Sequence, residues 1–407
     1  MATTTLAVVD SILKEVYEPK LRDQLQSDTI TLKRIEQTSE GVTSEVGGKY
    51  VTFPIRTRRN HGIGARAENT ALPVAQSQKY AAARVSLAYL YGSAELTGQT
   101  MELAESNFQA FASALQQELE GLRQTLVKDM NRQMYGTSTG ILATAASGST
   151  TTLVTTDADA QYLEVGMQLD IFDTSAAGLM ANAPFEITTL VSSAGNTTVT
   201  FTPAAGAAVA VGDTMHRSGS RNLETIGFKD IVSDVGTLYN INPSTEPVWK
   251  SVVNANGGVS RALSEGLMIK TADDVRQRGG RTSVIFTTMG VRRAYFQLLV
   301  QQRRYTNTQK FEGGFSGLAF TTDWGDVPVV TDWDCQSGRM YFINEKELKL
   351  YRESDWSFMN RDGSNWQRKI TSAGNFDVYQ TMYYKYCQLG THRRNSHALL
   401  SDITEAS

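Results

Sequence analysis

The chain has 407 residues, of which 41% are hydrophobic and 20% charged, and its formal net charge is −3. This length favours two to four structural units, and the composition is that of a folded globular protein rather than of a disordered chain. The sequence contains no apolar run of about 18 residues, which argues against a transmembrane helix. Its slightly acidic balance argues against a dedicated nucleic-acid-binding protein, which usually carries a basic excess.

Two further features limit the functional class. Cys335 and Cys387 are far apart and neither belongs to a CxxC pair, so we predict free thiols rather than disulfides or a zinc site. The first residues lack the basic start and apolar stretch of a signal peptide. We therefore expect synthesis and assembly in a cytoplasm, with no membrane association.

The first predicted units are an arm and a hairpin. Residues 1–45 predict an N-terminal arm with a short amphipathic pattern that Pro19 interrupts. Residues 46–97 predict a hairpin, with one strand over Lys49–Arg59, a loop over Asn60–Pro73 and a second strand over Ala82–Leu96. Because an isolated two-stranded hairpin is marginal in water, we expect this one to lie on another surface.

The clearest helix is predicted from about Thr100 to Tyr135, within a unit covering residues 98–140. Apolar residues recur there in steps of three and four, which places them on one face of a helix. They are Phe108, Phe111, Leu115, Leu119, Leu122, Leu126, Met130 and Met134. At 1.5 Å per residue the helix would be roughly 50 Å long, longer than one ordinary core requires.

Residues 141–220 predict a small all-β insertion. Ala, Thr, Gly and Ser dominate this segment, and no lysine occurs between Lys128 and Lys229. We predict a strand over Val165–Asp173, a hairpin over Phe185–Pro203 and a strand pair over Ala208–Gly219.

From residue 221 onward the pattern is mixed α/β, so the predicted fold class is α+β. Residues 221–340 include helix between Val252 and Gly280, a buried strand over Ser283–Thr288 and a following helix. Residues 341–407 carry short strands, a long aromatic strand over Asp377–Arg394 and a basic C-terminal tail.

Two segments match the residue patterns of enzyme motifs, but the predicted secondary structure around them does not fit those motifs. Gly136–Gly140 spells GxSxG, but a helix precedes it where a nucleophile elbow needs a strand. Gly62–Ala67 spells GxGxxA, but no helix follows. The sequence has no P-loop and no HExxH, and His392 and His397 lack the spacing of helical metal ligands. We therefore expect no catalytic residues, no cofactor and no metal.

Taken in chain order, the predicted elements resemble the Johnson fold of tailed-phage major capsid proteins. The stretch Ser283–Asn344 is similar to that family's run of strand, "RR" helix, Gly-rich turn and two further strands, and Glu246–Gly258 is similar to a segment early in its axial domain. The resemblance implies an N-terminal arm, an E-loop hairpin, a spine helix and a peripheral domain. It assigns residues 221–340 to an axial domain and residues 341–407 to the return into the peripheral domain.

The same resemblance implies function and partners. It implies pentamers and hexamers that close an icosahedral shell in the virion, with a separate scaffolding protein, a portal, a decoration protein in some members, and packaged DNA contacted without specificity. Some members crosslink an E-loop lysine to a neighbour's asparagine. Here Lys49 and Lys79 flank the hairpin, while Asn360, Asn365 and Asn375 lie late in the chain. We do not assign any of them to the family's crosslinking positions.

Opposite charges suggest where copies touch. The hypothesis is that a basic hairpin rests on an acidic helix surface of the next subunit. The basic residues are Lys49, Arg56, Arg58, Arg59 and Arg66, and the acidic residues are Glu95, Glu102, Glu105, Glu118 and Glu120. The alternative is that both are solvated faces.

Two other functions remain open on sequence alone. An encapsulin-like bacterial compartment shares this fold but encloses cargo enzymes. An α/β enzyme is the second alternative, although we find no convergent acid, base or metal set for it.

Overall fold

The computed structural model describes residues 28–39, 42, 50–99, 108–175, 178–303, 318–360, 367–371 and 374–406. Helices and strands are both well represented among these residues, as expected for an α+β chain. The helices are α1 (Ile30–Arg34), α2 (Phe108–Tyr135), α3 (Asp157–Ala160), α4 (Phe228–Ile231), α5 (Glu265–Gln277) and α6 (Met289–Arg303).

The strands fall into four sheets, which we name by their most characteristic feature. The hairpin contains β2 (Tyr50–Arg58) and β3 (Lys79–Ser86). The long sheet contains β1 (Glu36–Thr38), β4 (Ala88–Thr97), β18 (Leu348–Arg352), β19 (Ser357–Phe358), β20 (Gln367–Thr371) and β21 (Gly374–Thr391). The insertion sheet contains β5 (Ile141–Thr144), β6 (Ser147–Gly148), β7 (Thr152–Thr156), β8 (Gln168–Asp173), β9 (Gly178–Leu179), β10 (Phe185–Ser193), β11 (Asn196–Thr202) and β12 (Thr214–Arg217). The mixed sheet contains β13 (Val252–Asn254), β14 (Val284–Thr287), β15 (Ala319–Thr322), β16 (Gly325–Thr331), β17 (Met340–Ile343) and β22 (Ala398–Leu400).

The hairpin is shorter than the sequence predicts. Strands β2 and β3 pair antiparallel from Tyr50–Ser86 to Arg58–Lys79. The chain then leaves the hairpin at Leu87, and β4 pairs with β21 over its whole length. The prediction of one strand over Ala82–Leu96 is therefore wrong. Apolar alternation continues across Leu87, so the pattern does not show that the two halves have different partners.

The long helix α2 runs over Phe108–Tyr135, 28 residues, or about 42 Å at 1.5 Å per residue. The predicted start at Thr100 lies outside the described residues. At its carboxyl end the predicted apolar stripe enters the main core, where Met130 and Met134 are fully buried. The helix also packs on β4, where a side chain at Gly92 would overlap Leu126.

The insertion has an apolar core of its own. That core includes Leu153, Ile171, Phe185 and Val199, all of them fully buried. Strands β5 and β12 pair antiparallel, so the chain enters and leaves the insertion side by side.

Two local predictions for the insertion have different outcomes. The hairpin predicted over Phe185–Pro203 is confirmed as β10–β11, and its turn lies at Ala194–Gly195. The strand pair predicted over Ala208–Gly219 is wrong because only β12 forms there. Val209 is instead buried in a loop, and the Asp213 carboxylate accepts a hydrogen bond from the Ala210 N–H at 2.7 Å.

The end of the chain is part of the mixed sheet. Strand β22 pairs parallel with β13 and antiparallel with β17, so it lies inside the sheet rather than at its edge. Arg394 is 1% exposed and His397 is fully buried. The prediction of a basic C-terminal tail is therefore wrong, because the apolar run 398–400 fills a gap between two other strands.

Candidate intersubunit surface

The strands of the hairpin lie on the subunit's own core. Val51, Ala83 and Val85 are buried in the main apolar cluster, and the Arg84 N–H donates to the Tyr239 carbonyl at 3.0 Å. The hairpin therefore lies on another surface, as the sequence predicts, and that surface is the subunit's own core. Only the segment that joins the two strands, residues 59–78, extends beyond this support; we call it the tip.

The tip is exposed along almost its full length and carries apolar side chains. Ile63, Leu72 and Val74 are 81%, 82% and 81% exposed. The Arg66 guanidinium braces the loop by donating to the Ala71 carbonyl at 2.9 Å and to the Ala65 carbonyl at 3.2 Å. These side chains give the loop apolar surface that a contact with a partner would remove from water.

The predicted basic residues are exposed where they are described. Arg56, Arg58 and Arg59 follow one another along the end of β2, and Arg66 lies in the tip. Lys49 lies outside the described residues.

Lys79, the other lysine considered for crosslinking, forms an ion pair with Glu246 of its own subunit. This pairing and the Arg58 charge keep the pKa of Glu246 below its usual range, with the Lys79 hydrogen bond as the largest cause.

The predicted acidic residues do not form one free surface. Glu95 lies on β4 rather than beside the helix, and its carboxylate bonds Lys369 at 2.6 Å. Glu120 is exposed on α2 and lies 3.5 Å from Arg123. Glu118 also belongs to α2, while Glu102 and Glu105 lie outside the described residues. The side chains of Glu95 and Glu120 are thus already paired within their own subunit.

Sequence reasoning missed a buried polar cluster that fixes α2. Asp332 accepts from the Thr31 hydroxyl at 2.7 Å and from the Asn131 amide at 3.1 Å. Asp334 accepts from Asn131 at 2.5 Å and from Lys128 at 3.0 Å. Burial raises the pKa of Asp334 despite these donors. The only sequence signal was the pair of aspartates two residues apart, which gives no hint of its distant partners.

A second polar cluster joins α2 to the base of the insertion. Arg132 donates to Glu224 at 2.6 Å and to Asp129 at 2.9 Å, and Arg217 donates to Asp129 at 3.0 Å. Burial by itself would raise the pKa of Asp129, but the two arginines outweigh it and bring the pKa to about 2. The insertion is therefore held to the helix by charge as well as by chain connectivity.

The enzyme-like motifs lie in unsuitable surroundings. Gly136–Gly140 is a turn after α2, where the Ser138 N–H donates to Asp230 at 2.7 Å. In the part of the chain that the structure describes, no group of three or more His, Cys, Asp or Glu side chains could hold a metal ion. Among the same residues, no helix is long and apolar enough to cross a membrane.

Comparison with known proteins supports one interpretation of this geometry. The family model of the SU10 major capsid protein matches residues 83–370. No curated protein matches the chain in sequence.

Among solved structures, the cyanophage A-1(L) capsid asymmetric unit is 15% identical, with a TM-score of 0.59 over 98% of this chain and 100% of that one. A chain of Microbacterium phage Oxtober96 is 9% identical, with a TM-score of 0.50 over 99% and 100%. The SrpI encapsulin of Synechococcus elongatus is 6% identical, with a TM-score of 0.44 over 99% and 96%. At these identities the first two structures show a shared fold.

Proposed function

This chain belongs to the SU10 major capsid protein family, and we propose that its copies hold one another in register through the hairpin and its tip. A major capsid protein is a structural protein of the virion. Its copies assemble as pentamers and hexamers into the icosahedral shell that encloses a phage genome. The family match covers residues 83–370 and favours this function over an encapsulin compartment.

The observation that carries the proposal is the exposed tip. The strands β2 and β3 are fixed on the core, whereas Ile63, Leu72 and Val74 are more than four-fifths exposed. A second copy that covered these side chains would remove apolar surface from water, which is favourable at about 25 cal/mol per Å². The tip therefore suits a contact with the next subunit.

In the proposal, opposite charges on the two subunits fix the register of this contact. In the proposal, Arg56, Arg58, Arg59 and Arg66, together with Lys49, approach the acidic helix surface of the next subunit. The proposed acidic residues are Glu118 and Glu120 of α2 together with Glu102 and Glu105, which lie outside the described residues, and Glu95 is weakened by its own partner Lys369. Each exposed pair contributes only about 0–1 kcal/mol, but repetition around a closed shell multiplies the effect.

The finer features of the proposal come from the family and from composition. We propose a separate scaffolding protein, a portal and a decoration protein as partners, assembly in the host cytoplasm, and no enzymatic activity. A net charge of −3 supports non-specific contact with packaged DNA rather than tight binding.

The test is charge reversal on the hairpin. In the Arg56→Glu, Arg58→Glu, Arg59→Glu variant we expect loss of closed shells, or shells with a lower melting temperature and altered salt dependence, because like charges then face each other across the contact. Electron microscopy and thermal melting at two salt concentrations would measure this.

A matched variant reverses three exposed basic residues elsewhere, Lys270→Glu, Arg281→Glu and Arg292→Glu, and should assemble normally. If the hairpin variant forms shells of unchanged thermal and salt stability, the proposed hairpin contact is wrong.

A further inference from the structure

A cleft of about 540 Å³ lies between β2 of the hairpin and the body of the subunit. It is lined by arginines from three distant parts of the chain and by His392, and none of its lining residues is acidic. The arginines are Arg56, Arg58, Arg59, Arg278 and Arg393. We call it the arginine cleft.

Two of these arginines are held in place by backbone carbonyls. Arg278 donates through Nη1 to Lys250 and Ser251, both at 2.9 Å. Arg393 donates through Nη2 to Gly279 at 2.7 Å. Carbonyls orient a guanidinium without neutralising its charge. Arg278 and Arg393 therefore remain positively charged, and each keeps further N–H groups that can donate to a partner.

The charge of the cleft is not balanced inside the subunit. Within the described residues, no carboxylate forms an ion pair with any of the five arginines. Arg58 does lie near Glu246, but that carboxylate is paired with Lys79. The cleft therefore offers unpaired positive charge to a partner from outside the subunit.

The insertion carries exposed carboxylates that have no ion-pair partner among the residues that the structure describes. Residues 141–216 contain seven Asp and Glu residues and neither Lys nor Arg. Four of them are exposed, namely Asp157, Asp159, Glu164 and Glu186, and neither Glu164 nor Glu186 forms an ion pair within the described residues.

Glu164 and Glu186 lie on neighbouring segments of the insertion, the turn that follows α3 and the start of β10. The turn after Glu164 is tied to the strand of Glu186 because the Gly166 N–H donates to Ile187 at 2.8 Å and the Ile187 N–H donates to Met167 at 3.0 Å. Val165 lies on the same turn and is 63% exposed. We call this the acidic edge. Its apolar centre matches Val248, which lines the cleft and is 51% exposed.

We propose that the arginine cleft of one copy binds the acidic edge of the insertion of a second copy, with Glu164 and Glu186 facing Arg278 and Arg393. This inference rests on the proposed function, because it requires copies that assemble. It goes further by giving the insertion a role as an intersubunit clamp. Unlike Glu95 and Glu120, the carboxylates of Glu164 and Glu186 form no ion pair with their own subunit within the described residues.

The experiment is a charge swap in the full chain. Arg278→Glu with Arg393→Glu, or Glu164→Lys with Glu186→Lys, should each lower the yield of closed shells about tenfold or more, because like charges then oppose each other across the contact. Combining all four substitutions restores opposite charges and should return the yield to near that of the unmodified chain. Circular dichroism of unassembled subunits checks that every variant folds, and Arg292→Glu serves as an exposed control.

Failure of the inference is separable from failure of the proposed function. If the unmodified chain forms shells but the fourfold variant does not recover, or if the Glu164, Glu186 variant assembles normally, the clamp is wrong while the shell remains. The rival occupant is a nucleic-acid phosphate. It is favoured, and the clamp overturned, if the Arg278, Arg393 variant assembles normally but loses affinity for a short duplex DNA in fluorescence anisotropy.

Discussion

At the scale of single residues, the stability of this subunit depends on polar side chains buried near the end of the chain. Arg394 is 1% exposed, and its guanidinium donates to the carbonyls of Asp230, Ile231, Val235 and Gly236 at 2.9–3.1 Å. Burial lowers its pKa to about 10. An arginine in this position can satisfy four carbonyls at once, which no other side chain can do.

His397 lies close by and is fully buried in its neutral form. Its Nδ1 accepts from the Asn344 N–H at 3.3 Å, so its Nε2 proton is directed to the Thr391 hydroxyl at 2.9 Å. Burial, with a smaller contribution from Arg393, lowers the pKa of His397 from 6.5 to about 3. The folded subunit therefore excludes a proton that the unfolded chain accepts.

This difference predicts a pH dependence. The stabilisation is fully present above pH 6.5 and declines as the pH falls toward 3, by at most about 1.4 kcal/mol per pH unit, because only the unfolded chain gains the proton. His397→Asn keeps an acceptor but cannot titrate there. The gap in free energy of unfolding between the unmodified subunit and this variant should shrink from pH 7 to pH 4 in urea titrations. A gap that stays constant across this range would contradict the assignment.

At the scale of elements, two glycines have opposite effects on the helix α2. One weakens the helix itself, and the other lets a neighbouring segment pack against its end. Gly121 lies on the exposed face of the helix, and a Cβ added there would meet nothing within 4 Å. Gly227, which precedes α4, lies directly against the carbonyls of Gln133, Met134 and Gly136 at the end of the helix. The first glycine costs helix stability, whereas the second allows two backbones to approach.

Opposite effects are therefore expected from the same substitution. Gly121→Ala should raise the free energy of unfolding by about 0.5–1 kcal/mol, since alanine loses less backbone entropy in a helix. Gly227→Ala should lower it by about 1–3 kcal/mol because the backbones must separate. Thermal melting of unassembled subunits measures both. Equal shifts in the two variants would show that the close approach at Gly227 is not needed.

At the scale of the whole molecule, the insertion is a separately packed unit on the capsid framework. It has its own buried cluster, its ends are adjacent through β5 and β12, and its recorded polar ties to the body include the Tyr162 hydroxyl donating to the Asp334 carbonyl at 2.7 Å. Such a unit should depend little on the remainder of the chain.

We therefore expect a fragment of residues 141–220 to fold alone. It should give a β-type circular dichroism spectrum and one cooperative thermal transition, because about 80 residues with a complete core are enough for a stable domain. Tyr162→Phe in the full chain removes a hydrogen bond to the body and should leave the melting temperature of the insertion unchanged. A fragment that remains unfolded would show that the body supplies part of the insertion's stability.

Local periodicity in the sequence determined the α+β class, the helix α2, the insertion and the hairpin β10–β11, since these depend on neighbours along the chain. The order of these elements was enough to suggest the capsid family. The exposed arginines of the hairpin were also predictable, because polar residues on a strand that packs on one face point to solvent.

Only the tertiary structure decided which surfaces remain available for contact. The pattern around Leu87 does not reveal that β4 leaves the hairpin for β21, and Glu95 gives no sign of its partner Lys369, 274 residues away. The arginine cleft likewise joins β2 to Arg278 and Arg393. Pairing between distant residues depends on how sheets and turns pack in space, and a single sequence carries no periodic signal of it.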